Sequence, residues 1–251
     1  MRNLLIRLAV KYQGDYFKVR EAFKKQESGD GYPLQQAITI FDQCYPKQLL
    51  QLQYPPLVLF YKGNIELLKE DKMAVVGSRK AFRYGIEMTK DIVNKIKDDY
   101  VIVSGMAKGI DGVAHKCASK TIGVLGNGLD VIYPKENYDL YQYMGKNQLL
   151  ISEYPYGVQP ERYHFPFRNR IIAGLAKGVI VTQASTKSGT MLTVNEALAL
   201  NRDVYAVSYP YNIADNGCNL LIEQGAILLD IDNIRYMLKK NVDKSDQKYQ
   251  E

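Results

Sequence analysis

The sequence predicts an α/β fold: a mostly parallel sheet with helices on both faces, preceded by a small N-terminal helical region. Three observations carry this expectation. Short apolar runs rich in Val, Ile and Leu recur from residue 57 to about residue 229, the mark of strands buried on both faces. Helix-length segments separate the runs, as the crossovers of a parallel sheet require. Turns rich in Gly and Ser follow several of the runs.

Taken in order, residues 1–56 read as short helices. Leu4, Leu5, Leu8 and Tyr12 keep helical spacing, as do Phe17, Val19, Ala22 and Phe23. Gly29-Asp30-Gly31-Tyr32-Pro33 is a turn cluster, and Tyr54-Pro55-Pro56 closes the region. Leu57–Tyr61 and Met73–Val76 are strand-like, the second followed by Gly77-Ser78-Arg79. A helix from about Tyr84 to Lys97 leads to strand Tyr100–Val103, and the loop Ser104–Asp111 opens a helix through about Ala118. Thr121–Leu125 and Leu149–Ile151 are further strands, and an arginine-rich helix precedes strand Gly178–Thr182. Ser188-Gly189-Thr190 opens a helix ending near Leu200, and Asp203–Val207 follows as a strand. Gly217–Glu223, Ala226–Leu229 and Ile231–Leu238 supply a helix, a short strand and a closing helix. Three regions result: a helical module at 1–56, the sheet domain at 57–238 and a polar tail at 239–251.

With 251 residues and 46% apolar composition, the chain can bury one good core. Its net charge of +6 and pI near 9.0 favour anionic partners. Cys44, Cys117 and Cys218 are scattered and share no metal-ligand spacing, which suggests reduced thiols in a cytoplasmic protein. No stretch approaches a membrane span, and the amino terminus lacks the pattern of a secretory leader.

In sheets of this kind, ligands bind outside the carboxyl ends of the strands. Those ends carry Gly77-Ser78-Arg79, Ser104 to Asp111, Gly126 to Gly128 and Ser185 to Thr190, with Arg79, Lys108 and Lys187 in or beside them. Small residues there let the backbone approach an anion and aim N–H groups at it. The densest cluster is Phe165-Pro166-Phe167-Arg168-Asn169-Arg170 at the mouth of a helix. Guanidinium forks suit phosphate oxygens, and aromatic faces suit bases. Taken singly, Gly123, Gly126 and Gly128 read as turn residues, Asp111 as a helix cap and His115 as a structural hydrogen-bonder. Ser104 has no His and Asp partners for a nucleophilic triad. The P-loop signature is absent, Gly105, Gly109 and Gly112 do not form the dinucleotide fingerprint, and no carboxylate pair is placed for metal-assisted phosphoryl transfer. The pattern is that of a site that holds phosphates without cleaving them, with no cofactor and no catalytic residue.

Several motifs occur in a familiar order. They are Val75-Val76-Gly77-Ser78-Arg79 with Tyr84-Gly85, Ser104-Gly105-Met106-Ala107-Lys108-Gly109-Ile110-Asp111 and Ala114-His115. Ser152-Glu153-Tyr154-Pro155, Phe165-Pro166-Phe167-Arg168-Asn169-Arg170-Ile171-Ile172, Ser188-Gly189-Thr190 and Asn216-Gly217 through Gly225-Ala226 continue the series. Over roughly residues 57 to 230 the chain resembles the DprA/Smf family of DNA-processing proteins of bacterial natural transformation. The resemblance implies an extended Rossmann-like domain that binds single-stranded DNA, forms a homodimer, protects incoming strands and helps load RecA recombinase beside single-strand-binding protein. It implies Arg79, Lys108, Arg168, Asn169 and Arg170 as the strand-binding set, and Phe165 or Phe167 as the stacking aromatic. Gly77, Ser78, Ser104, Gly105, Ser188, Gly189 and Thr190 would form the backbone cradle.

The chain departs from that family at Gln183, where a glutamate is usual, and at Ser208-Tyr209, where Pro-Gly is common. It ends before the winged-helix-like domain that many relatives add, and residues 1–56 fit the family's helical module only loosely. A rival reading is a nucleotide-processing enzyme on a related scaffold, because Lys187-Ser188-Gly189-Thr190 with Glu196 is faintly similar to a phosphoribohydrolase motif. That motif needs a double glycine and a closer glutamate. A structural role for Arg168 and Arg170, paired with Glu153 or Asp111, is the alternative to strand binding.

Overall fold

The structure, a computed structural model, describes residues 1–29, 35–210 and 216–247. The expected turn at 29–33 falls, Gly29 apart, outside the described residues. Two amphipathic helices open the chain, α1 (Arg2–Lys11) and α2 (Tyr16–Lys24). The Asp15 carboxylate accepts from the N–H groups of Phe17 and Lys18, satisfying two donors that the start of α2 would leave open. The first 56 residues are not all helical, because β1 (Gln36–Thr39) pairs antiparallel with β2 (Val58–Gly63).

From β3 (Lys72–Gly77) strands and helices alternate: α3 (Arg83–Ile96), β4 (Val101–Gly105), α4 (Ile110–Cys117), β5 (Thr121–Leu125), α5 (Tyr138–Asn147) and β6 (Leu149–Ser152). The alternation continues with α6 (His164–Leu175), β7 (Gly178–Gln183), α7 (Gly189–Ala199), β8 (Asp203–Ala206), α8 (Gly217–Glu223), β9 (Ile227–Leu228) and α9 (Ile234–Gln247). The nine strands form one sheet in the order β1-β2-β6-β5-β4-β3-β7-β8-β9. It is parallel from β6 to β9, with the antiparallel β1 and β2 at one edge. The fold is therefore the extended Rossmann-like α/β architecture. The closing helix runs nine residues beyond the expected Leu238, through the segment anticipated as a tail.

β3, β4, β5 and β7 are buried along nearly their whole length, which explains their unbroken apolar runs. α1, α2 and α5 seal a second core with Phe60, Met106, Leu125 and Leu150. The N-terminal helices are tied to the sheet domain at Gly14. Its φ of +77° and its approach to the backbone of Glu153, where a Cβ would lie 2.5 Å from the carbonyl oxygen, both require glycine.

Sheet topology positions the site. The chain leaves β3 toward β4, β5 and β6 on one side and returns through β7, β8 and β9 on the other. The strand order thus reverses at β3, and a crevice opens outside the carboxyl ends of β3, β4 and β7.

Candidate nucleic-acid interface

A cavity of about 890 Å³ occupies that crevice. Its wall holds five cations, Arg79, Lys80, Arg162, Arg168 and Lys187, against one carboxylate, Asp111. Among the described residues Arg79, Lys80, Arg162 and Lys187 have no ion-pair partner and Arg168 faces Asp111, whereas elsewhere Lys69, Lys90, Lys95, Lys120 and Arg235 are all paired with acids. Cations left unpaired on a concave wall make a field for a polyanion.

The loop after β3 is rigid. The Ser78 N–H donates to the Gln183 carbonyl at 2.8 Å, and the Ser78 carbonyl accepts from the Ile110 N–H at 3.1 Å. The Gln183 side chain accepts from the Phe82 N–H at 2.8 Å and donates to the Lys80 carbonyl at 3.3 Å. One amide at the end of β7 therefore fixes residues 78–82 through both of its polar atoms. A glutamate here would keep the acceptor and lose the donor. Arg79 leaves this loop with its guanidinium 5.3 Å from the centroid of the Phe165 ring, which Tyr133 flanks at 5.6 Å.

α6 distributes its cluster over opposite faces, because residues two apart on a helix point away from each other. Phe165 lines the cavity; Phe167 does not. Phe167 packs instead with Tyr16, Phe17 and Tyr54 and lies 3.7 Å beneath the Arg170 guanidinium. Arg170 is 3% exposed and grips Glu153 through two bonds of 2.6 and 2.7 Å, with further bonds to the carbonyls of Tyr54 and Phe167. This guanidinium has its donors committed to the protein and does not reach the cavity. Arg168, 5% exposed, does line it. Its Nη1 donates to the Val124 carbonyl, while its Nε–H has no partner among the described residues. Asn169 also lines the cavity and donates to the Gly189 carbonyl at 3.2 Å.

The remaining expected residues separate in the same way. Gly77, Ser78, Ser188, Gly189 and Thr190 line the cavity, the last three at the start of α7, whose first N–H groups lack helical acceptors. Ser104 does not, because it is fully buried in the sheet and donates to the Val75 carbonyl at 2.6 Å. Gly105 lies beneath the floor, where a Cβ would collide with the Arg168 guanidinium. Lys108 is exposed, borders a smaller adjoining pocket of about 80 Å³ and pairs with Glu136. Lys80, Phe82, Tyr133, Arg162, Tyr209 and Asn216 also line the wall and were not among the site residues expected from sequence. Lys80 and Phe82 stand within five residues of Gly77-Ser78-Arg79, which was signal enough; Arg162 and Tyr209 come from loops whose path the motifs do not reveal.

Asp111 is not a cap. It sits in the first turn of α4, where burial pushes its carboxyl upward and the facing Arg168 guanidinium opposes that shift. The same burial lowers the Arg168 pKa, opposed by Asp111. His115 bonds to the Thr121 hydroxyl and the Gly105 carbonyl, both at 2.6 Å, and burial lowers its pKa to about 4. It is a neutral strut under the floor, as its position one turn after Asp111 suggested. Glu196, on which the hydrolase reading depended, does not line the cavity.

Residues 36–239 match the family model of DNA recombination-mediator protein A. The chain belongs to this family. Proteins similar to it include DNA processing protein DprA of Streptococcus pneumoniae, 45% identical over 221 residues that make up 85% of this chain and 76% of that protein. The Bacillus subtilis protein of the same name is 43% identical across 75% of this chain and 66% of its own length. Against Protein Smf of Escherichia coli, at 42% identity, the chain spans only 52% of the relative. Among solved structures, DNA processing protein A from S. pneumoniae superposes with a TM-score of 0.77 at 38% identity, covering 90% of this chain and 89% of that one. The Helicobacter pylori protein, whose structure describes its single-stranded DNA binding mode, superposes at 0.76 and 33% identity, covering 82% and 98%.

Proposed function

We propose that this chain binds single-stranded DNA in the cavity at the β3 switch point and acts as a recombination mediator. In that role it protects incoming strands, helps load RecA recombinase, works beside single-strand-binding protein and forms a homodimer. The observation that carries the reading is the set of five cations on the cavity wall, of which only Arg168 faces a carboxylate, with the Phe165 ring among them. Cations supply sequence-independent affinity for phosphates, and an aromatic face accepts any unpaired base.

The wall also argues for binding without cleavage. Its one carboxylate, Asp111, is buried opposite Arg168, so no pair of acids is poised to activate water or to hold two metal ions. Within this reading Gly77, Ser78, Arg79, Phe165, Arg168, Asn169, Ser188, Gly189 and Thr190 meet the strand. Lys108 joins them by exchanging Glu136 for a phosphate. Phe167 and Arg170 brace α6 against the N-terminal helices.

Titration of labelled single-stranded and duplex oligonucleotides tests the strand preference. The single strand binds more tightly, because stacked pairs hide the ring faces that Phe165 needs; equal or tighter duplex binding overturns the reading. Strand exchange seeded with RecA on strands coated by single-strand-binding protein tests the mediator role, and sedimentation tests the dimer.

A further inference from the structure

The cavity wall carries aromatic rings besides Phe165 and Tyr133, namely Phe82 and Tyr209. Phe82 lines the cavity and is 55% exposed. Its ring belongs to neither hydrophobic core and has no ring partner among the described residues, so packing does not account for a large apolar side chain there. Its backbone, by contrast, is fixed by the hydrogen bond to Gln183. A rigid backbone that holds a bare ring toward a cavity suits a stacking surface. Tyr209 also lines the cavity, edge-on to Tyr84 with centroids 4.9 Å apart, and the Tyr84 hydroxyl donates to the Ser208 carbonyl at 3.3 Å. Lys80 and Arg83 flank the rings and have no ion-pair partner among the described residues.

The two aromatic sets lie at different strands. Phe165 packs against Gly126 just past the end of β5, whereas Phe82 is bonded to Gln183 at the end of β7. β4 and β3 lie between, so at ~4.8 Å per strand the two ends are about 14 Å apart. One base cannot cover that span.

We infer that Phe82 is a second stacking platform, which receives the base of another nucleotide of the same strand while Lys80 and Arg83 hold neighbouring phosphates. The inference rests on the strand-binding reading above. It makes the site a track across the strand ends from β5 to β7.

The test is oligothymidylate binding by wild type, Phe82→Ala and Phe82→Trp at two lengths, about four and about twelve nucleotides, within the range of known single-strand sites. Wild type gains affinity with length. Phe82→Ala binds the short strand as wild type does and loses about 5- to 100-fold on the long one, the span of stacking one base on an aromatic ring. Phe82→Trp keeps the gain. Equal affinity of wild type and Phe82→Ala at both lengths overturns the platform while leaving strand binding intact. An equal loss at both lengths overturns it too, since Phe82 would then serve the Phe165 site itself. Failure of wild type to bind either strand removes the underlying reading. Circular dichroism on both variants guards against misfolding, which the exposure of Phe82 makes a small risk.

Discussion

Arg170 and Glu153 form a two-point ion pair, 2.6 and 2.7 Å, between side chains only 4% and 5% exposed. The pair joins α6 to the segment after β6, directly where Gly14 docks the N-terminal helices on the Glu153 backbone. Its location makes it a brace of the fold. Removing one partner leaves a buried charge uncompensated, which costs about 3–5 kcal/mol. Arg170→Ala therefore lowers the denaturation midpoint sharply in urea titration, and a variant of unchanged stability refutes the assignment.

Arg79 behaves in the opposite way. It has no ion-pair partner among the described residues and meets the protein mainly through the face of Phe165. Arg79→Ala leaves the urea midpoint within about 0.5 kcal/mol of wild type, as surface changes usually do. It weakens single-strand binding by about 1–3 kcal/mol and lowers the slope of log affinity against log salt by about 1. Undiminished affinity across the salt series removes Arg79 from the site.

Gly105 lies beneath the floor against Arg168, and a Cβ there meets both that guanidinium and the Asp111 carboxylate. Gly105→Ala must displace Arg168 or distort β4, at a cost of about 1–3 kcal/mol for overpacking. Stability and strand affinity fall together, measured by thermal melting and by anisotropy. An unperturbed melt shows that the floor has room which the structure does not provide.

His115 gives the fold an acid-sensitive element. Burial lowers its pKa from 6.5 to about 4, so the unfolded chain holds more protons than the folded one between those values. Stability from this residue is complete above about pH 6.5 and falls as pH drops toward 4, by about 3 kcal/mol in all. Asp111, whose carboxyl is raised by burial, contributes in the reverse sense, so the residue is isolated by comparison with His115→Gln. The stability difference between wild type and the variant narrows as pH falls from 6.5 to 4. A constant difference shows that His115 keeps an ordinary pKa.

The central strands were legible because β3, β4, β5 and β7 are buried on both faces and carry runs that only strands of a covered sheet explain. β1 was not, since four residues, Gln36 to Thr39, are too few to show a period against helical surroundings. The end of α9 was not, because residues 239–247 are almost wholly polar and lack an apolar stripe. At the site, the loops after β3 and before α7 followed from their small residues and the rule for strand ends. The roles of Arg168 and Arg170 were left open, because the sequence offers Glu153 and Asp111 as partners but not which arginine each faces. The choice between Phe165 and Phe167 was decidable in principle: positions two apart on one helix cannot share a face. Tyr16 and Tyr54, which claim Phe167, come from distant segments and supply the missing half of that decision.

The most direct test sets Arg79→Ala beside Arg170→Ala, each followed by single-strand affinity and by urea denaturation in the same buffer. The account predicts a clean crossing: Arg79→Ala loses affinity and keeps stability, while Arg170→Ala loses stability first. The contradicting result is the reverse, a stable Arg170→Ala protein with impaired strand binding and an Arg79→Ala protein that binds as well as wild type.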